Sequence, residues 1–187
     1  MYVRDAKNRE EVWLLDRLED FGFEDPAFRS RDYVIALDEE AGRKVGFGRV
    51  RIHSGDDGFC EITCVGVLPE WRGGGVGSRI VERLVERARD EGCGAVYAFT
   101  PAADYLEQFG FAVVDEDALD ERKRDRLSAV RETTDEAVAL RVDVSAFDVP
   151  TRLERRFAGE ERDDPEESAE DFGIDPDTAT YKYDTGR

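Results

Sequence analysis

Residues 69–88 read PEWRGGGVGSRIVERLVERA and place Gly73, Gly74, Gly75 and Gly77 at the mouth of a charged, helix-forming run. Each glycine at such a junction costs about 0.5–1 kcal/mol of backbone entropy against alanine, so bare backbone must be needed there. A helix begins with amide N–H groups that lack intrahelical partners and with the positive end of its dipole. A glycine-lined approach lets a phosphate reach those donors without meeting a Cβ. Residues 72–78 therefore read as an anion cradle of main-chain amides. A tight turn is the plainer alternative, but two glycines generally suffice for one.

The surrounding residues narrow the anion. A P-loop closes with Gly-Lys-Ser/Thr, whereas Gly77 is followed by Ser78 and Arg79. A dinucleotide fingerprint needs a third glycine where Ser78 stands, and Asp90 and Glu91 fall at the helix end instead of after a second strand. What remains is Arg-x-x-Gly-x-Gly, formed by Arg72, Gly75 and Gly77 and preceded by VGVLPEW. In this the sequence resembles the GNAT superfamily of acyl-coenzyme A-dependent N-acetyltransferases. AADYLEQFGF (102–111) is similar to that family's second signature, a short helix ending in Gly-Phe. The resemblance is good over residues 32–116 and extends over 1–147. It implies that Arg72, Gly73, Gly74, Gly75, Val76, Gly77 and Ser78 wrap the pyrophosphate of coenzyme A. It also implies that the backbone at Val65, Gly66 and Val67 pairs with the pantetheine arm like an added strand.

Acetylation of an amine needs a neutral nucleophile, stabilisation of the developing oxyanion and departure of a thiolate. An amine with a pKa near 10 must lose a proton to a base, directly or through water. Glu61 resembles the strand glutamate that serves as base in histone-acetylating relatives; an ordinary surface carboxylate is the even alternative. His53, the one histidine, is a second candidate, with a structural role favoured. A backbone N–H of the 62–68 strand can hold the oxyanion without any special side chain. Many relatives place the acid for the thiolate four residues before the Gly of Gly-Phe, which here is Leu106. Tyr105 stands one residue earlier, about 100° around a helix; it is kept as the acid candidate, with packing as the competing role. Thr100 stands where many relatives carry asparagine. Some amino-acid-acetylating relatives also lack the tyrosine, which points to a small amino acid or similar metabolite as acceptor.

The expected function is transfer of an acetyl group from acetyl-CoA to a primary amine of a small molecule or amino acid, directly in a ternary complex. The alternatives are a non-catalytic acyl-CoA-binding sensor or interaction module, a protein N-terminal or lysine acetyltransferase, and nucleotide binding at the glycine loop. Cys60, Cys64 and Cys93 form no CxxC pair and read as small buried residues in a reducing compartment, so no metal is expected.

These residues need a scaffold to position them. Residues 2–5, 32–38, 44–53 and 59–68 read as strands, the last three joined by turn-forming EEAGR and SGDDG as a meander. Capping-box spacing of Asn8 and Glu11 precedes Val12, Leu15 and Leu18 and predicts a helix over 9–20. Val76, Ile80, Val81, Leu84, Val85 and Ala88 follow helical spacing. Then come strands at 95–100 and 111–115, a short helix from Pro101, a helix over 118–131 and a strand within 136–147. The order predicts an α/β (α+β) fold, a mixed, mostly antiparallel central sheet flanked by helices, over residues 1–149. Residues 150–187 read as an acidic tail, disordered or loosely docked.

The 187 residues suffice for one domain, and 39% are charged, for a net charge of −18 that lies mostly on residues 1–150. Lysine is confined to Lys7, Lys44, Lys123 and Lys182 among 27 basic residues. Abundant carboxylates with scarce lysine is the composition seen in salt-accumulating halophiles, since carboxylates keep molecules solvated when salt shortens the Debye length to about 3 Å; an acidic mesophilic protein is the plainer alternative. No basic cluster offers to neutralise nucleic-acid phosphates or an anionic membrane. With no signal peptide or spanning segment in view, a cytoplasmic location is expected, and a homodimer is left open.

Overall fold

The computed structural model describes residues 1–158. The first four strands form the expected meander: β1 (Tyr2–Asp5), β2 (Tyr33–Leu37), β3 (Lys44–His53) and β4 (Phe59–Val67) each pair antiparallel with the next. β2 is buried at all five positions because helices cover both of its faces. Strand alternation sends Tyr33, Ile35 and Leu37 toward Leu14 and Leu18 of α1 (Glu11–Phe21), and Val34 and Ala36 toward α2 (Val76–Asp90). The six apolar positions read as the inner face of α2 are each at most 1% exposed.

α1 departs from expectation in start and in face. Asn8–Glu10 forms a short 3-10 turn, and the reciprocal bond is made by Glu10, whose carboxylate accepts from the Lys7 N–H at 2.8 Å. Leu14 and Leu18 are buried while Val12 and Leu15 are exposed, so the helix turns a different stripe inward. Glu10 also accepts from both terminal nitrogens of Arg4 at 2.8 Å and is 4% exposed, which ties β1 to the start of α1. The Arg4 bonds lead in holding its carboxyl down to about 2, from an ordinary 4.5. A depressed carboxylate stabilises the fold fully above its unfolded pKa and loses that contribution as pH falls through the folded one. Its contribution, roughly 3 kcal/mol, is expected to disappear between pH about 4.5 and 2. Denaturant midpoints measured from pH 6 to 3 should fall less steeply in Glu10→Gln than in the native chain.

After α2 the chain adds β5 (Ala95–Thr100), α3 (Ala103–Glu107), β6 (Ala112–Val113), α4 (Glu121–Arg131), β7 (Val138–Asp143) and α5 (Thr151–Ala158). The sheet runs β1-β2-β3-β4-β5-β7-β6, with β4 and β5 its parallel pair and α2 the crossover between them. β6 is shorter than expected, since only Ala112 and Val113 pair with β7. α4 starts three residues late because Glu116–Ala118 is a 3-10 turn and Asp120 caps the helix, accepting from the Lys123 N–H at 2.9 Å.

Two further expectations are corrected. Cys60 on β4 and Cys93 before β5 form a disulfide, Cα atoms 6.4 Å apart, where free thiols were expected. The parallel register sets Cys60 beside Val96, which brings the residues leading into β5 under it, a proximity no CxxC spacing announces. Residues 151–158, read as the start of a tail, are helical, with Leu153 buried in the main core. The rest of the expected tail lies outside the described residues. Among the described residues no helix is long and apolar enough to cross a membrane.

Candidate active site

β4 and β5 pair at only two positions, Cys60 with Val96 and Glu61 with Tyr97, and then part. The cause lies on the other edge of β4. There three steps of β4, Thr63 to Gly66, oppose two steps of β3, Phe47 to Arg49. The extra residue is a bulge, and Cys64 within it has φ 53, a left-handed conformation seldom adopted without glycine. The bulge bends β4 away from β5 and opens a cavity of about 590 Å³ lined by Thr63, Val65, Thr100, Tyr105 and Arg126. Beyond Glu61, β4 faces this cavity with no partner strand on that edge among the described residues.

The glycine loop lies where β4 ends and α2 begins. Gly73 and Gly75 have φ 79 and 75, and none of the amides from Gly73 to Ser78 donates to an acceptor among the described residues. Val76 is buried and offers only its amide, while the Ser78 hydroxyl donates to Gly75 O at 2.6 Å and braces the turn. Arg72 turns back, its Nε donating to Val67 O at 3.1 Å and its guanidinium lying over Phe21. A Cβ on Gly75 would stand 2.7 Å from Leu153 O, so this glycine also admits α5. A Cβ on Gly77 would stand 2.5 Å from the Tyr105 hydroxyl. Gly77 thus makes room for a side chain of the cavity, a role that its place in the motif does not announce.

Tyr105 is therefore brought to the cavity although its register differs from that of the resembling family. Its ring meets Phe109 edge-on, and its hydroxyl end is tucked against α2 while 38% of the residue stays exposed. Burial pushes the phenol up to about 12.

Glu61 is placed differently. It is 1% exposed and accepts from Arg126 Nε at 2.9 and 3.0 Å and from Arg126 Nη2 at 2.8 Å. His53 Nε2 lies 2.7 Å from its second oxygen, with the imidazole stacked on Phe59. Burial raises the carboxyl, but the bonds from His53 and Arg126 outweigh it and the net shift is downward. The carboxylate expected as base is thus occupied, and Arg126 stands between it and the cavity.

Two groups were not anticipated from sequence. Arg126 lies 65 residues from Glu61, on a helix whose other charged residues look the same in sequence. Arg49, 3% exposed, donates to Asp25, to Asp32 at 3.0 Å and to Ala27 O at 2.8 Å, and Tyr33 Oη donates to Asp25 at 2.6 Å. This buried cluster pins the segment after α1, whose Phe23, Glu24 and Pro26 form one wall of the cavity.

The pattern of the acetyltransferase (GNAT) family matches residues 2–111. The chain belongs to the GNAT family. Mycothiol acetyltransferase of Thermobifida fusca (strain YX) is 27% identical over 107 residues, 51% of this chain and 33% of the relative. Amino-acid acetyltransferase of Neisseria meningitidis is 29% identical over 104 residues, 51% of this chain and 23% of the relative. The chain thus spans a third or less of the length of these curated relatives. N-acetylglutamate synthase from Neisseria gonorrhoeae, complexed with coenzyme A and N-acetyl-glutamate, aligns with TM-score 0.61 at 21% identity, over 76% of this chain and 34% of that one. Rv2747 from Mycobacterium tuberculosis, in complex with CoA and NLQ, aligns with TM-score 0.63 at 19% identity, over 76% of this chain and 99% of that one. At these identities the structures share the GNAT fold with the chain. Among the described residues no group of three or more His, Cys, Asp or Glu is placed to hold a metal ion.

Proposed function

We propose that this GNAT chain is an acetyl-CoA-dependent N-acetyltransferase that moves the acetyl group directly to the primary amine of a small molecule or amino acid. One observation carries the reading. The uncommitted amides of Gly73 to Ser78 lie at one end of the seam where β4 leaves β5, and the cavity lies along that seam. Those amides would hold the diphosphate, with Arg72 flanking them, and the open edge of β4 at Val65, Gly66 and Val67 would pair with the pantetheine arm. The coenzyme supplies an activated thioester. Main-chain N–H groups of β4 near the bulge can stabilise charge developing on its carbonyl oxygen. Burial raises the Cys64 thiol and keeps it protonated, which argues against a covalent acyl-cysteine and for direct transfer.

Tyr105 holds its proton at neutral pH and is the proposed donor to the departing thiolate, whose ordinary pKa is about 8.5. With Glu61 engaged by Arg126, the amine's proton leaves to solvent in the cavity. We assign Glu61 to holding Arg126 in position. Tyr105→Phe is expected to lower kcat about tenfold or more while leaving the KM for acetyl-CoA unchanged. An unaltered kcat in steady-state assays would remove Tyr105 as the acid.

The occupied Glu61 favours one second reading, a module that binds coenzyme A without turnover. Thiol release from acetyl-CoA with an amine panel, run at molar salt to match the acidic composition, separates the two. Amine-dependent release supports the enzyme, and tight coenzyme binding without release supports the module.

A further inference from the structure

Arg126 is the one Lys, Arg or His among the described residues lining the 590 Å³ cavity, in a chain of net charge −18. Its guanidinium has five N–H groups in a rigid plane, arranged as two usable forks. The side-on fork, Nε and Nη2, is taken by Glu61. No acceptor among the described residues lies on Nη1, so the end-on fork, Nη1 with the second N–H of Nη2, remains for a ligand. Glu61, almost fully buried, fixes the guanidinium of a side chain that is 23% exposed overall. An arginine restrained in this way loses little freedom when it meets a second planar partner.

The neighbourhood says what that partner should be. Much of the wall is apolar, with Ile62, Val81, Phe99 and Leu106, so a carboxylate entering would lose water and need a charged, bidentate replacement. Glu24 and Glu132 are the two acids among the described lining residues and repel a second negative group.

We propose that the end-on fork of Arg126 recognises the carboxylate of the acceptor, so that the acceptor is a free amino acid with a single carboxylate and an apolar or cationic side chain. Amides, esters, decarboxylated amines and dicarboxylic amino acids are excluded as good acceptors. The inference rests on the N-acetyltransferase reading above and specifies its substrate.

The test uses the full chain. Thiol release is measured with L-methionine, L-leucine and L-lysine, with their amides, with the amines formed by decarboxylation, and with L-glutamate. The free monocarboxylic acids are expected to exceed the amides and amines by about 100-fold or more in kcat/KM, and to exceed L-glutamate by about tenfold or more. Arg126→Lys should remove most of the advantage of acid over amide through KM, with acetyl-CoA affinity by calorimetry unchanged. Equal turnover of acids and amides by the native chain overturns the proposal, as does an Arg126→Lys variant that slows both alike. A binding arm separates this outcome from failure of the enzyme reading. If no amine is acetylated, a saturable thermal shift with L-methionine, absent for its amide and in Arg126→Lys, upholds the carboxylate site. Identical shifts for acid and amide overturn it.

Discussion

Gly74→Asp is expected to weaken coenzyme A binding by about 100-fold while the chain stays folded. Gly74 is the position in the loop where charge can be added almost without steric conflict, since a Cβ there meets only Trp71 O at 3.7 Å and its φ is not positive. A carboxylate about 5 Å from a diphosphate charge, at an effective dielectric near 20, opposes binding by about 3 kcal/mol. Gly74→Ala should change affinity less than about threefold, which isolates the charge from the bulk. Gly75→Ala should behave in the opposite way. Its Cβ would press on Leu153 O at 2.7 Å and on the Phe157 N at 2.9 Å, at φ 75, so the fold loses stability and α5 is displaced. Calorimetric titration with coenzyme A and thermal melts on the three variants separate these effects. Equal affinity for Gly74→Asp and Gly74→Ala would dismiss the amide cradle.

Glu61→Gln carries the second large effect. Breaking a buried ion pair by removing one partner generally costs about 3–5 kcal/mol; Arg126 keeps partial access to water and His53 can still bond the amide, so about 3 kcal/mol is expected from chemical denaturation. Because the folded carboxyl is depressed, this stabilisation is complete above the ordinary glutamate pKa of 4.5 and is lost as pH falls through the lower folded value. The stability gap between native and variant chains should therefore close in acid and persist at pH 7. In activity the loss should appear mainly as a raised acceptor KM, because Arg126 loses the group that aims it. A collapse of kcat at constant KM, with the alkaline shape of the pH–rate profile restored by raising pH, would return Glu61 to the role of base.

What the sequence made legible was repetition and local chemistry. Helical spacing placed all six apolar inner residues of α2, turn residues fixed the meander, and the glycine loop pointed to free amides; each depends on neighbours a few positions away. The features that escaped depend on encounters between distant segments. Glu61 looked like one carboxylate among 45 acids until α4 set Arg126 against it. Tyr105 stood one residue from the family's position, and counting around a helix argued against it. Yet α3 is only five residues long, and the Tyr105 side chain carries its hydroxyl to Gly77. Cys60 and Cys93 needed the parallel register of β4 and β5 to meet. The inner stripe of α1 was misread because Val12, Leu14, Leu15 and Leu18 offer two apolar faces, and only packing on Ile35 and Phe47 selects one.

The strand order carries a consequence for synthesis. Among the described residues β7 comes last of the strands, yet it is inserted between β5 and β6, pairing with β5 from Ala95 to Thr100. A nascent or truncated chain ending near residue 111, where the family pattern stops, would leave the β5 backbone donors and acceptors bare beside Val96 and Ala98. Such an open rim templates self-addition of strands. Fragments cut at that boundary should form oligomers or inclusion bodies, and the waiting time for residues 138–143 sets the window in which a chaperone is most useful.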